Sequence, residues 1–116
     1  MFRSETKTGL PYAELNAGGK IYLLRLTALS AVRLEERLGM SVYEAVGKTD
    51  EMKVVSELLY ALIEGLKPEF TLRDTYTVID EYISEGGTLR SLVCVIAEAL
   101  KISGFFGQDS DVQENS

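Results

Sequence analysis

The sequence predicts an α+β fold, mainly α, in which an N-terminal β-hairpin packs on a small bundle of three longer helices and one short helix. Three observations carry that expectation. A Gly18-Gly19 pair sits between two short runs of β-favouring residues, which is the signature of a tight hairpin. Downstream, apolar residues recur at helical spacing in successive stretches. Each stretch is bracketed by a Ser, Thr or Asp at its start and a Gly or Pro at its end. A length of 116 residues fits one domain with a modest core.

The elements follow in order. Residues 1–11 form a polar leader, with Gly9 and Pro11 near its end. The globular domain spans 12–106, beginning with the hairpin over 12–26. A two-stranded ribbon is unstable alone and needs an apolar support, so Tyr22, Leu24 and Leu26 are expected to face the helices. Helices are expected at about 28–38, 42–46, 51–66, 72–85 and 89–103. Thr27 is placed to cap the first, which stops at Gly39, and Ser41 with Glu44 forms a capping box for the second.

Thr49 or Asp50 is placed to cap the third helix, where Val55, Leu58, Leu59, Leu62, Ile63 and Leu66 form one stripe before Lys67-Pro68 ends it. Thr71 with Asp74 opens the fourth, with Leu72, Tyr76, Ile79 and Ile83 on its apolar side and Gly86-Gly87 beyond its end. Thr88 caps the fifth, whose buried face is Leu89, Leu92, Val93, Ile96, Ala99 and Leu100. The final stretch, 107–116, reads as a disordered acidic tail.

Composition removes many functions. With no His, imidazole catalysis and His metal ligation are excluded, and a single Cys supports neither an intrachain disulfide nor a thiolate zinc site. The net charge of −6 argues against a nucleic-acid partner. That charge is uneven: residues 1–26 carry four basic and two acidic side chains, whereas the last twelve carry three acidic and no basic ones. The N-terminal stretch lacks the apolar run of a signal peptide, and no stretch approaches the roughly 18 apolar residues of a membrane span. A cytoplasmic protein with no membrane partner is expected.

No catalytic, cofactor-binding or metal-binding residue is expected. Gly47-Lys48-Thr49 lacks the glycine five residues upstream, where Val42 stands, and the leading strand of a phosphate loop. Asp109-Ser110-Asp111 lacks the glycine and glutamate of a calcium loop. Asp80-Glu81 reads as a solvated face, while Glu35, bracketed by Ala31, Leu34 and Leu38, reads as half-buried and bonded to a backbone group or an arginine. Cys94, between two valines, reads as a small core hydrophobe.

Two features exceed what a monomer needs. The run Ile21-Tyr22-Leu23-Leu24 is apolar on both alternating faces, which leaves Ile21 and Leu23 needing a cover. Phe105-Phe106 follows the last helix, either folding back on the core or offering a docking surface. These four residues are the candidate partner-binding groups.

The order of motifs resembles a known family. The chain runs through Tyr12-Ala13-Glu14-Leu15, Gly18-Gly19-Lys20 and Leu24-Arg25-Leu26-Thr27 into Leu34-Glu35-x-x-Leu38-Gly39 and Ser41. Then come Leu58-Leu59-Tyr60-Ala61, Thr71-Leu72, Ile79-Asp80-x-Tyr82, Gly86-Gly87 and Ala99-Leu100-x-x-Ser103-Gly104-Phe105. This order resembles the short tail assembly chaperones of long-tailed phages and prophages of Gram-positive bacteria, over residues 12–106. The signal lies in order and spacing over the chain.

The resemblance implies a protein without catalytic activity that coats the tape measure protein and keeps it soluble. It would then help recruit tail tube protein subunits, self-associate, and be absent from the finished virion. It also implies a longer form made by frameshifting, which would replace or extend 107–116. An alternative is a small acidic helical interaction or regulatory module of other function. A DNA reader needs a basic helix, yet the 72–85 helix sets Arg73 against Asp74, Asp80, Glu81 and Glu85. An enzyme working with carboxylates alone would need a pocket that raises one of their pKa values, and the sequence shows none.

Overall fold

The computed structural model describes residues 11–105. The expected leader (apart from Pro11), Phe106 and the expected tail over 107–116 lie outside the described residues. The element order is β1 (Ala13–Ala17), β2 (Lys20–Leu24), α1 (Ala28–Leu38), α2 (Val42–Val46), α3 (Met52–Glu64), α4 (Leu72–Ser84) and α5 (Leu89–Ile102). The longer helices of the expected bundle are α3, α4 and α5, and the short one is α2. Helix α1, with 11 residues, lies against α3 as a fourth longer helix.

Gly18 and Gly19 have φ of 60° and 77°, so both central residues of the two-residue turn are left-handed, as a type I′ hairpin requires. The turn fixes the antiparallel register Ala17↔Lys20, Leu15↔Tyr22 and Ala13↔Leu24. Along β1 burial alternates strictly: Ala13, Leu15 and Ala17 are buried, while Glu14 and Asn16 are exposed. Leu24 and Leu26 are fully buried and Tyr22 half-buried, as the sequence implied. The hairpin rests on α3, α4 and α5.

Helix α3 is the axis of the bundle. It touches α1, α4, α5 and β2, so it is buried around nearly its whole circumference. Beyond the expected stripe, Val54, Ser56, Glu57, Ala61 and Glu64 are also buried. The close approach of β2 to its end requires Gly65, where a Cβ would stand 2.8 Å from the Arg25 carbonyl oxygen.

Capping follows the sequence at three helices and departs from it at two. Thr27 with Ser30, Thr71 with Asp74 and Thr88 with Ser91 make reciprocal capping boxes. Ser41 accepts from the Glu44 N–H at 3.0 Å, but the reciprocal half is missing. The Val42 N–H, the next donor along, is taken by Glu35 Oε2 at 2.8 Å, which gives Glu35 the half-buried, backbone-bonded place expected of it. Neither Thr49 nor Asp50 caps α3. The Glu51 N–H bonds back to the Lys48 carbonyl, which closes a turn and makes Glu51 itself the cap residue, without a side-chain bond.

Two further expectations are corrected. The buried face of α4 is Thr75, Val78 and Ile79, not the stripe of Leu72, Tyr76, Ile79 and Ile83; Tyr76 and Ile83 are exposed. The Thr75 hydroxyl can be buried because it donates to the Thr71 carbonyl at 3.2 Å. Cys94 is exposed rather than in the core, because α5 turns Leu92, Ile96, Ala99 and Leu100 inward and position 94 falls on the opposite side.

Candidate functional site

In an antiparallel ladder closed by a two-residue turn, the closing pair exchanges hydrogen bonds and the next pair does not. Lys20, Tyr22 and Leu24 therefore turn their backbone groups toward β1, whereas Ile21 and Leu23 turn theirs outward. The next residue of the outward series shows the direction: the Arg25 N–H donates to the Leu62 carbonyl of α3 at 3.0 Å. Among the described residues the sheet has only these two strands, so no strand covers the outward edge of β2.

Beside that edge lies a groove of about 580 Å³. Residues 20–23 form one wall, and Ile63, Leu66, Lys67 and Glu69 form the other. Ile21 is 63% exposed on the outer hairpin face opposite Asn16. Leu23, opposite Glu14 on the same face, is half-buried, so it has more cover than the sequence suggested. The second wall was not singled out from the sequence. Its signal was Leu66, the last apolar residue of the α3 stripe, stranded between Gly65 and Lys67-Pro68.

Lys20 and Lys67 border the groove with the carboxylate of Glu69, whose Oε2 is 3.6 Å from Lys67 Nζ, and both lysines also border an adjoining hollow that Asp74 and Glu81 line. On the inner side, Tyr22 packs its ring on Phe70 with centroids 5.8 Å apart and a tilt of 59°. The turn is anchored to α4, where the Gly18 N–H donates to the Glu85 carboxylate at 2.9 Å and 3.2 Å. Glu81 is half-buried beside Gly18 rather than on an open solvated face, while Asp80 is exposed as expected.

Burial pushes the Tyr22 phenol above its ordinary value of 10.0; the Glu81 carboxylate adds to the rise, Lys67 opposes it, and Asp74 adds further. The folded value thus exceeds the unfolded one, so the neutral phenol's contribution to stability is complete below about pH 10 and is lost as pH rises through the folded value. Tyr22→Phe lacks that loss. Its melting temperature is expected to fall less than that of the parent chain between about pH 9 and about pH 11, measured by circular dichroism.

The structure does not unite the four candidate residues. Ile21 and Leu23 share the outer hairpin face and border the groove, but Phe105 does not line it. Phe105 is half-buried against the core, and its carbonyl accepts from the Tyr43 hydroxyl at 2.9 Å, so it takes the fold-back alternative. Phe106 lies outside the described residues. Among the described residues no three Cys, Asp or Glu side chains converge to hold a metal ion, and no helix is long and apolar enough to cross a membrane. Comparison with protein-family models, with curated proteins and with solved structures finds no match.

Proposed function

We propose that this chain is a non-catalytic tail assembly chaperone of a long-tailed phage or prophage, acting in the bacterial host cytoplasm. It coats the tape measure protein and helps recruit tail tube subunits. The observation that carries the reading is the outer hairpin face, where an acidic chain leaves Ile21 63% exposed beside Leu23 and an open groove. The order of sequence motifs supplies the family. A net charge of −6 supports the role physically, because apolar contacts can cover a client while the charge keeps the complex dispersed. Many weak copies along one long client then add by avidity, and incoming tube subunits can displace them one at a time.

Coexpression with the tape measure protein of the same gene cluster tests the reading. The parent chain is expected to hold that client in the soluble fraction, and Ile21→Ser/Leu23→Ser to lower the soluble yield on the order of fivefold. A client that stays equally insoluble with and without the parent chain would overturn the chaperone reading and leave an acidic interaction module of other function.

A further inference from the structure

We infer that the outer edge of β2 takes up an extended, carboxylate-bearing segment of a partner protein as a third strand. The inference rests on the chaperone reading only for the partner's name. The edge presents the N–H and C=O of Ile21 and of Leu23 in a row, which is the hydrogen-bonding face that strand addition uses. At Arg25 that row is already occupied, because the Leu62 carbonyl sits where the backbone of a third strand would run. At residues 23 and 21 nothing among the described residues takes that place, and the groove opens there. Among the described residues the edge is thus closed at one end and open at the other.

The groove also states what fits. Its far wall is Ile63 at the end of α3 with Leu66, Lys67 and Glu69 of the loop that follows, so a strand added to β2 runs between that wall and β2. Side chains of such a chain alternate between faces at about 3.3 Å per residue. One set lies over Ile21 and Leu23, which favours apolar residues there. Lys20 and Lys67 outnumber Glu69 at the border, which favours carboxylates in a segment approaching a chain that is otherwise acidic.

The probe is a labelled six-residue peptide alternating glutamate and valine, with a lysine–valine counterpart, added to the full chain. Saturable binding of the acidic peptide is expected, with slowed amide hydrogen exchange at Ile21 and Leu23. The lysine peptide should bind at least about tenfold more weakly. Ile21→Pro removes an outward N–H and no bond of the hairpin, a place where an edge strand accepts proline. It should weaken the acidic peptide at least about tenfold, whereas Ile21→Ala, which keeps the N–H, should weaken it only about two- to threefold.

Equal loss in the proline and alanine variants, equal binding of the two peptides, or unchanged exchange at Ile21 and Leu23 would each overturn the inference. The exchange measurement uses the parent chain and holds even if the proline variant misfolds. Edge binding of the peptide without solubilisation of the tape measure protein would sink the chaperone reading and leave this one standing. Solubilisation that persists undiminished in a folded Ile21→Pro would do the reverse.

Discussion

Leu62→Ala is expected to destabilise the fold by about 3 kcal/mol, within the range for truncating a fully buried leucine. Leu62 lies on α3, the one helix that touches α1, α4, α5 and β2, and its side chain has no exposed surface. Removing its isobutyl group loses the transfer energy of those carbons and leaves a cavity that four surrounding elements cannot close at once. Against a typical total of about 5–15 kcal/mol, that is a large fraction. The melting temperature should drop by about 10–20 °C. Urea titration checks it: the midpoint should fall while the slope stays constant. Leu29→Ala, on the exposed side of α1, should change stability by no more than about 0.5 kcal/mol.

Arg37→Ala is the second large effect, expected at about 2–3 kcal/mol. Arg37 Nε donates to Glu57 Oε1 at 2.6 Å, and the guanidinium lies 4.7 Å from the centre of the Tyr60 ring. Glu57 is only 6% exposed, so alanine would strand a buried carboxylate. The cost stays below the 3–5 kcal/mol of fully buried pairs, because the Arg37 side chain keeps 30% of its surface in water. Replacing both partners, as in Arg37→Met/Glu57→Met, should recover most of the loss. Denaturant titration of the two single variants and the double gives the coupling between them. Arg33→Ala should cost less, since Arg33 Nη1 is 3.8 Å from Glu64 Oε1 and the Arg33 side chain is more than half exposed.

Local signals and tertiary ones were legible to different degrees. The Gly18-Gly19 turn and the threonines at 27, 71 and 88 declare themselves within four residues, because turn and cap chemistry is local. The face of α4 was not legible in this way. Both Leu72/Tyr76/Ile79/Ile83 and Thr75/Val78/Ile79/Tyr82 have helical spacing, and the first set is the more apolar. The hairpin and α3 select the second, with the Thr75 hydroxyl satisfied inside its own helix. Cys94 misled for a related reason, since its valine neighbours do pack against the core while the phase of α5 turns position 94 away from it.

Of the candidate site, the apolar outer face was readable from alternation alone, because Ile21 and Leu23 stand in one strand. The groove's second wall was not, because it comes from residues 63–69, brought to the strand by the bond between Arg25 and Leu62. Sequence pattern shows which groups lack a cover within an element. It does not show which distant element stops just short of supplying one.

One hydroxyl imposes an order of events. Ser103 Oγ accepts from the Leu26 N–H at 2.8 Å while donating to the Ala99 carbonyl at 2.7 Å, so it pins the exit of the hairpin to the end of α5. The contact spans 77 residues, among the longest closures in the chain. During synthesis the hairpin leaves the ribosome before the helices, yet it cannot be seated until α5 follows, since β1 rests on α4 and α5. The helices α1, α2 and α3 can associate in the meantime through nearer contacts. The edge of β2 is therefore made before the helices that seat the hairpin and is among the last parts to be assembled, so a chain that ends before α5 does not present it in its seated form.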